Sequence, residues 1–302
     1  MAAGPRSVAL AVLVGAQAAA APARAQAVPY VVALPASIRS VGLSGAGVAL
    51  VGDAGGLFSN PASLATISHI ALEGDYRTGP GNADFLTGAL GWRLAQFDLG
   101  IGGRYFDFGG TPAQYIAGAP LGSKTREVLG VGSLVYRFGL IAMGISGKYV
   151  RRSVDSLHVR GFSGDAGLAV AFFDIMALAV GVQNLGGNWQ ESPMVLPRLT
   201  RLGFTMNYVD PQESFRLLTT LEVQWPEDAG TRWVIGGEAG VVIEGIGIIA
   251  RAGYGGDAVG LPNANWSFGG SMALGAIKLD YAYRHRDLLD ERAHHLGFRM
   301  TL

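Results

Sequence analysis

Residues 39–64 read RSVGLSGAGVALVGDAGGLFSNPASL, and the rest of the 302-residue chain is organised around them. The stretch is dense in Gly and Ala, holds a single acid, Asp53, and closes on Asn60-Pro61-Ala62. Gly45 and Gly47 allow another backbone to approach closely, and a side chain at either is expected to strike the surrounding wall or force a disfavoured angle. Leu43–Val51 is expected to form a short strand. Asp53 is placed to cap a helix starting at Ala54. Asn60 followed by Pro61 reads as an N-cap with proline at the first helical position. Such a segment is a compact insert, packed inside something larger.

The remainder of the chain is monotonous. From His69 to the end, apolar and polar residues alternate with period two, the signature of strands. Phe97, Leu99, Ile101 and Tyr105 face one way and Asp98, Gly100, Gly102 and Arg104 the other; Leu296, Phe298, Met300 and Leu302 end the chain in the same rhythm. About fourteen strands are expected, near 69–78, 84–94, 97–107, 126–138, 140–151, 161–173, 175–185, 197–209, 215–225, 231–243, 246–255, 265–275, 277–286 and 292–302, an even number as bacterial single-chain barrels have. Short turns near Ala95-Gln96, Gly139, Asp174 and Ala276 alternate with longer connections near 108–125, 152–160, 186–196 and 256–264. One rim of short turns and one of longer loops is the habit of membrane barrels. Both chain ends then lie on the short-turn, periplasmic side, and the insert enters from there. The glycines of 100–103 fall inside a strand, where they suit bending or the close approach of the insert.

Composition agrees. The chain is 49% hydrophobic and 15% charged, with mean hydropathy +0.30 and 46 glycines. Yet no apolar run after residue 27 reaches the roughly 20 residues of a spanning helix. High apolarity without spanning helices leaves strands to cross the bilayer. Aromatics near strand ends, among them Tyr76, Trp92, Tyr105, Trp225, Trp233 and Trp266, suit two interfacial girdles. The opposite face carries both signs of charge: Glu73, Asp75, Asp98, Glu127, Asp165, Glu222, Glu238 and Asp280 against Arg77, Arg93, Arg104, Arg137, Lys148, Arg201, Arg216, Arg232, Arg251, Lys278, Arg284 and Arg299. Such charges in a lumen must pair or be wetted, and a mixed set reads as bracing for the insert rather than an ion-selective eyelet.

Residues 1–27 have the parts of a secretory leader: Arg6, an apolar run over Val8–Ala21, and small residues at Ala25-Gln26-Ala27. The organisation expected is therefore a leader over 1–27, a hatch over 28–66 and a transmembrane barrel over 67–302. No cysteine is present, so there is neither disulfide nor thiolate chemistry. His69, His158, His285, His294 and His295 lack metal-ligand spacing. Neither cofactor nor metal is expected, and no catalytic set stands out. Lys and Arg together equal Asp and Glu at 23 each, so no net charge draws the chain to nucleic acid.

The run Ser44-Gly45-Ala46-Gly47, then Asp53, then Asn60-Pro61-Ala62 resembles the N-terminal hatch of FadL-like outer-membrane barrels, and more closely that of the PorV/PorQ branch associated with type IX secretion. The resemblance covers about 25 residues. It implies a hatch inside the lumen, contact with outer-membrane lipid, and a part in protein secretion, with secreted proteins or other secretion components as partners. The contact surface would be loop segments containing Tyr115, Ile116 and Leu121, and Trp189, Met194 and Leu196, either presented to a partner or folded over the barrel mouth. The alternative is a FadL-like channel that passes a hydrophobic ligand. Against that stand short loops and an apolar N-terminal tail no longer than Val28–Leu34.

Overall fold

The computed structural model describes residues 28–79, 83–109, 124–173, 175–187, 194, 196–209, 214–227, 229–256, 266–285 and 292–302. Fourteen strands alternate across the whole body of the chain: β1 Ile70–Gly79, β2 Ala83–Leu94, β3 Phe97–Asp107, β4 Thr125–Phe138, β5 Ile141–Val154, β6 Leu157–Phe172, β7 Met176–Leu185, β8 Leu199–Val209, β9 Phe215–Pro226, β10 Arg232–Ile243, β11 Ile246–Gly255, β12 Trp266–Leu274, β13 Ile277–Arg284 and β14 Ala293–Thr301. Each pairs antiparallel with its sequence neighbours, and β1 meets β14 in a register running from Ala71 opposite Thr301 to Tyr76 opposite Leu296. The sheet is thus a closed barrel with no free edge, which matters because an open edge would leave unpaired amides in hydrocarbon.

Pleating sorts the side chains. Leu86, Ile101, Ile145, Leu221, Ile235, Ile248, Leu279 and Leu296 point outward and are exposed. Two belts of exposed aromatics bracket them: Tyr76, Tyr105, Trp225, Trp233, Tyr254 and Trp266 toward one rim, and Trp92, Phe97, Phe138, Phe172, Tyr208 and Phe215 toward the other. A soluble sheet would expose polar side chains and bury these, so the exterior defines a bilayer-facing wall. All eight acids expected on the inner face are buried there.

The stretch expected to be a strand is not one. A short helix, α1, covers Tyr30–Ala33, and α2 covers Ile38–Gly42 with the Ser37 hydroxyl accepting from the Ser40 amide. Positive φ at Ser44 (56°) and Gly45 (93°) then turns the chain, so Leu43–Val51 runs as irregular backbone. Two 3-10 turns complete the hatch, Ala54–Phe58 and Pro61–Thr66. A strand at Leu43–Val51 would have needed a partner edge, and the barrel has none to give. The connection expected over 152–160 is also different: β5 and β6 continue to Val154 and Leu157 and are joined by a tight turn with φ +49° at Asp155. Its Arg-, Ser- and His-rich sequence looks like loop, but strands that rise beyond the apolar belt need no apolar face.

The hatch joins β1 at the short-turn rim, where the amides of His69 and Ile70 donate to the Leu302 carbonyl. From there its path, traced backward, climbs the lumen. Its beginning, α1, lies in the far half beside Phe85, Phe106, Phe108 and Leu129. The N-terminal end of the described chain therefore approaches the longer-loop rim rather than staying on the periplasmic side.

Candidate functional site

Three features fill the lumen: a charged ring that locks the hatch, an apolar seat for α1, and a chamber beneath the hatch.

The ring comprises six side chains. Arg39 of α2 donates from Nε to Glu238 Oε1 and from a terminal nitrogen to Oε2, both at 2.7 Å, and its other terminal nitrogen reaches Asp53 Oδ2 at 3.1 Å and the Val51 carbonyl at 2.8 Å. Asp53 accepts in turn from Arg299 on β14. Arg299 Nε meets Asp280 Oδ2 at 2.6 Å. Arg251 closes the circuit, 3.1 Å from Asp280 and 3.2 Å from Glu238. Three acids and three bases alternate, so the ring is neutral and each charge has two opposite neighbours, the condition under which buried charge is tolerated. Burial pushes the Asp53 carboxyl up, but Arg39 and Arg299 outweigh it and hold it well below the usual carboxylate range. Arg39 is likewise opposed by burial, yet Glu238 and Asp53 keep it above its ordinary value. Asp53 stands at the N-cap position of its turn but makes no capping hydrogen bond; its side chain is committed to the ring instead.

Asn60 does cap. Its Oδ1 accepts from the Ala62 amide at 3.0 Å, Pro61 stands at the start of the turn, and its Nδ2 donates to the Val48 carbonyl at 2.9 Å, tying the two halves of the hatch together. Wall side chains hold the backbone between them. Glu222 Oε2 accepts from the amides of Gly47 and Val48 at 2.7 and 3.0 Å, and Gln183 donates to the Phe58 carbonyl at 2.6 Å. A Cβ on Gly47 would lie 3.2 Å from Ser59 Oγ and 3.3 Å from Ser40 Oγ, both of the hatch itself, so the wall is not what excludes a side chain there. Gly45 carries the left-handed φ. The barrel answers with glycines of its own: a Cβ on Gly144 would stand 2.7 Å from the Ala62 amide nitrogen, and one on Gly102 2.8 Å from Phe58 Cζ. The inward-facing glycines among these form a surface moulded to the hatch, the close approach expected of Gly100 and Gly102.

In the far half of the lumen, α1 packs on aromatics. Tyr30 stacks on Phe106 at 5.7 Å and meets Phe108 edge-on at 5.3 Å. Arg104 donates to the carbonyls of Val31, Leu34, Pro35 and Ala36, and Glu127 accepts from the Val31 amide. Met194 and Leu196 belong to the same apolar cluster and are 7% and 1% exposed. They fold over the barrel mouth instead of facing outward. Tyr115, Ile116, Leu121 and Trp189 lie outside the described residues.

Beneath the hatch, at the short-turn rim, is a chamber of about 450 Å³. One side is apolar: Leu50, Ala142, Ala169, Ala177 and Ala179, with Ile175 and Met176 at the lip. The other side includes five of the ring residues, Arg39, Asp53, Glu238, Arg251 and Arg299, together with Arg216 and Lys278. Among the described residues no carboxylate forms an ion pair with either of these two, because Asp53, Glu238 and Asp280 are engaged by the ring and Asp98 by Arg93 and Arg137. Arg216 and Lys278 could not be singled out from the sequence, where they are two of a dozen inward bases. No group of three His, Asp or Glu able to hold a metal occurs among the described residues.

A closed fourteen-strand barrel with a bilayer-facing exterior, charges directed inward and an N-terminal hatch in its lumen is an outer-membrane β-barrel, and its fold is like that of FadL-type barrels. Solved structures of that type superpose on nearly the whole chain. The Ralstonia pickettii toluene transporter TbuX matches with a TM-score of 0.58 at 12% identity, over 89% of this chain and 98% of its own. The Pseudomonas putida toluene transporter TodX matches at 0.56 and 11%, over 88% and 96%. A Pseudomonas aeruginosa FadL homologue matches at 0.54 and 13%, over 88% and 97%. At such identities the likeness is one of fold. No family model matches the sequence, and no curated protein does.

Proposed function

We propose that this protein is a channel for a hydrophobic small molecule, with the hatch as its gate. The observation that carries this reading is the chamber beneath the hatch, whose alanine-lined side can take an apolar body. Its opposite side, where Arg216 and Lys278 have no ion pair among the described residues, suits a negatively charged head on that body. The fold it shares with toluene transporters supports the same reading. The secretion role implied by the PorV/PorQ resemblance needs an exposed apolar rim, and the two rim residues that are described, Met194 and Leu196, are buried.

The test is uptake of labelled toluene and labelled decanoate by cells that lack other hydrophobic channels. Expression should raise uptake of decanoate more than that of toluene. An Ala169→Phe variant, which fills the chamber, should return uptake to the empty-vector level at equal outer-membrane abundance. Uptake of both probes indistinguishable from empty vector would overturn the proposal. A secretion defect on deletion, without any uptake difference, would favour the partner-binding reading.

A further inference from the structure

The chamber beneath the hatch has a neighbour. A second cavity, of about 290 Å³, lies against the inner wall of β9 to β13 at the short-turn rim, and its lining shares Asn207, Arg216, Ile249 and Lys278 with that of the chamber. The register explains the hollow. Inward positions on β10 to β12 carry Gly240, Gly247 and Ala273, with Gly240 across from Arg216 and Ala273 across from Lys278. Unlike the glycines that receive the hatch, Gly240 and Gly247 meet none of it: a Cβ on either would come nearest to wall atoms of Ile249 or Ala273. Val242 and Ile249 make the rest of the surface apolar. Where the two cavities adjoin, all the shared residues but Ile249 are polar. Arg216 and Lys278 stand there, and among the described residues no carboxylate pairs with them. Arg216 Nε and Asn207 Oδ1 are buried with no hydrogen bond among the described residues, a state that buried polar groups rarely keep.

We propose that the chamber and this cavity are two arms of one ligand site, and that its ligand is an anionic amphiphile whose charge lies between two apolar arms, such as an α-branched carboxylate. The inference rests on the reading of the chamber as a ligand site and adds where on the ligand the charge lies. An anion with one tail puts its head on Arg216 and Lys278 and its tail in the alanine-lined chamber. Val242, Ile249 and Ala273 are then left uncovered. A second tail, on the carbon next to the carboxylate, leaves the head in place and enters the second cavity. Apolar surface then leaves water on both sides of the head, and each side adds to affinity. Arg216 offers the carboxylate a guanidinium fork, Lys278 a point charge, and Asn207 an amide whose donor and acceptor ends exchange by a half-turn.

The experiment is equilibrium binding of radiolabelled hexanoate, decanoate and 2-butylhexanoate to the mature protein in detergent, with protein-free micelles subtracted. Decanoate and 2-butylhexanoate are isomers: each adds the same four carbons to hexanoate, one at the tail and the other beside the head. The branched acid should bind roughly tenfold or more tighter than hexanoate, since four added methylenes leave water. In a site with a single arm it would bind no better than hexanoate, because the added arm would meet the wall. Ala273→Leu, which fills the second cavity, should abolish the gain, and Val242→Phe provides a second occlusion. Arg216→Gln/Lys278→Gln should weaken all three acids by a similar factor. Heat-modifiability on gels confirms that each variant is folded. A branched acid no tighter than hexanoate while decanoate binds, or a gain that survives both occluding variants, would overturn the proposal alone. Failure of all three acids to bind would overturn it together with the channel reading on which it rests.

Discussion

Asp53, in the hatch, accepts a hydrogen bond from Arg299, 246 residues away on the strand that closes the barrel. The hatch is thus fastened to the strand that forms the seam with β1. Removing the carboxylate leaves Arg299 with Asp280 and Arg39 with Glu238, but opens the ring. Breaking a buried pair costs on the order of 3–5 kcal/mol, and here the cost falls on hatch docking rather than on the strand ladder. Asp53→Ala should therefore raise single-channel conductance in planar bilayers while leaving the barrel heat-modifiable. The native protein should be nearly closed, and deletion of Val41–Ser63 should give a large, steady conductance. A deletion no more conductive than the native protein would mean that this segment is not a plug.

The same ring sets a pH dependence. The Asp53 carboxyl is depressed when docked, so its contribution is fully present above the pKa of an undocked Asp, about 3.9, and declines as pH falls toward its docked value. Conductance should stay low and flat from pH 8 to about 5 and rise below about 4. Opening that begins near neutrality would point to a different lock.

Gly144 and Gly132 provide a matched pair. A Cβ at Gly144 meets the Ala62 and Pro61 backbone, whereas one at Gly132, on the lipid side, meets nothing within 4 Å. Gly144→Val should displace the hatch and raise conductance, and Gly132→Val should behave as the native protein. Equal behaviour of the two would show that the wall is not moulded to the hatch.

Asn60→Ala removes a cap and the tie to Val48. The cap alone is worth roughly 0.5–2 kcal/mol. Limited proteolysis from the periplasmic side should cut the hatch faster, with no change in the barrel core.

The C-terminal strand supplies the last seam, with Phe298, Arg299, Met300 and Thr301 opposite Gly74, Glu73, Leu72 and Ala71. Truncation of Phe298–Leu302 should leave an edge that cannot close. The truncated chain should lose heat-modifiability and fail to accumulate in the outer membrane.

Much of the wall is legible because its physics is local. Strand β3 occupies 97–107 and β11 occupies 246–255, the spans that alternation predicts, since a residue between lipid and lumen must be apolar or polar by turns. The hatch is not local. The Leu43–Val51 run has the apolar content of a strand, but its path is set by which wall group receives it, here Glu222. Asp53 has the neighbours of a helix cap and is claimed instead by an arginine that only the closed barrel brings near. The basic tip of the β5–β6 hairpin reads as loop because, above the belt, the alternation rule has nothing to act on.

The glycines that receive the hatch also set the calibre of the pore beneath it. At Gly102, Gly144, Gly181, Gly236 and Gly253 the wall meets its plug with bare backbone. Lifting the hatch would uncover bare glycine backbone whose amides and carbonyls are already paired within the sheet. The open passage would be wider there than side chains would leave it, and along that track it would offer its traffic few hydrogen-bonding groups of its own.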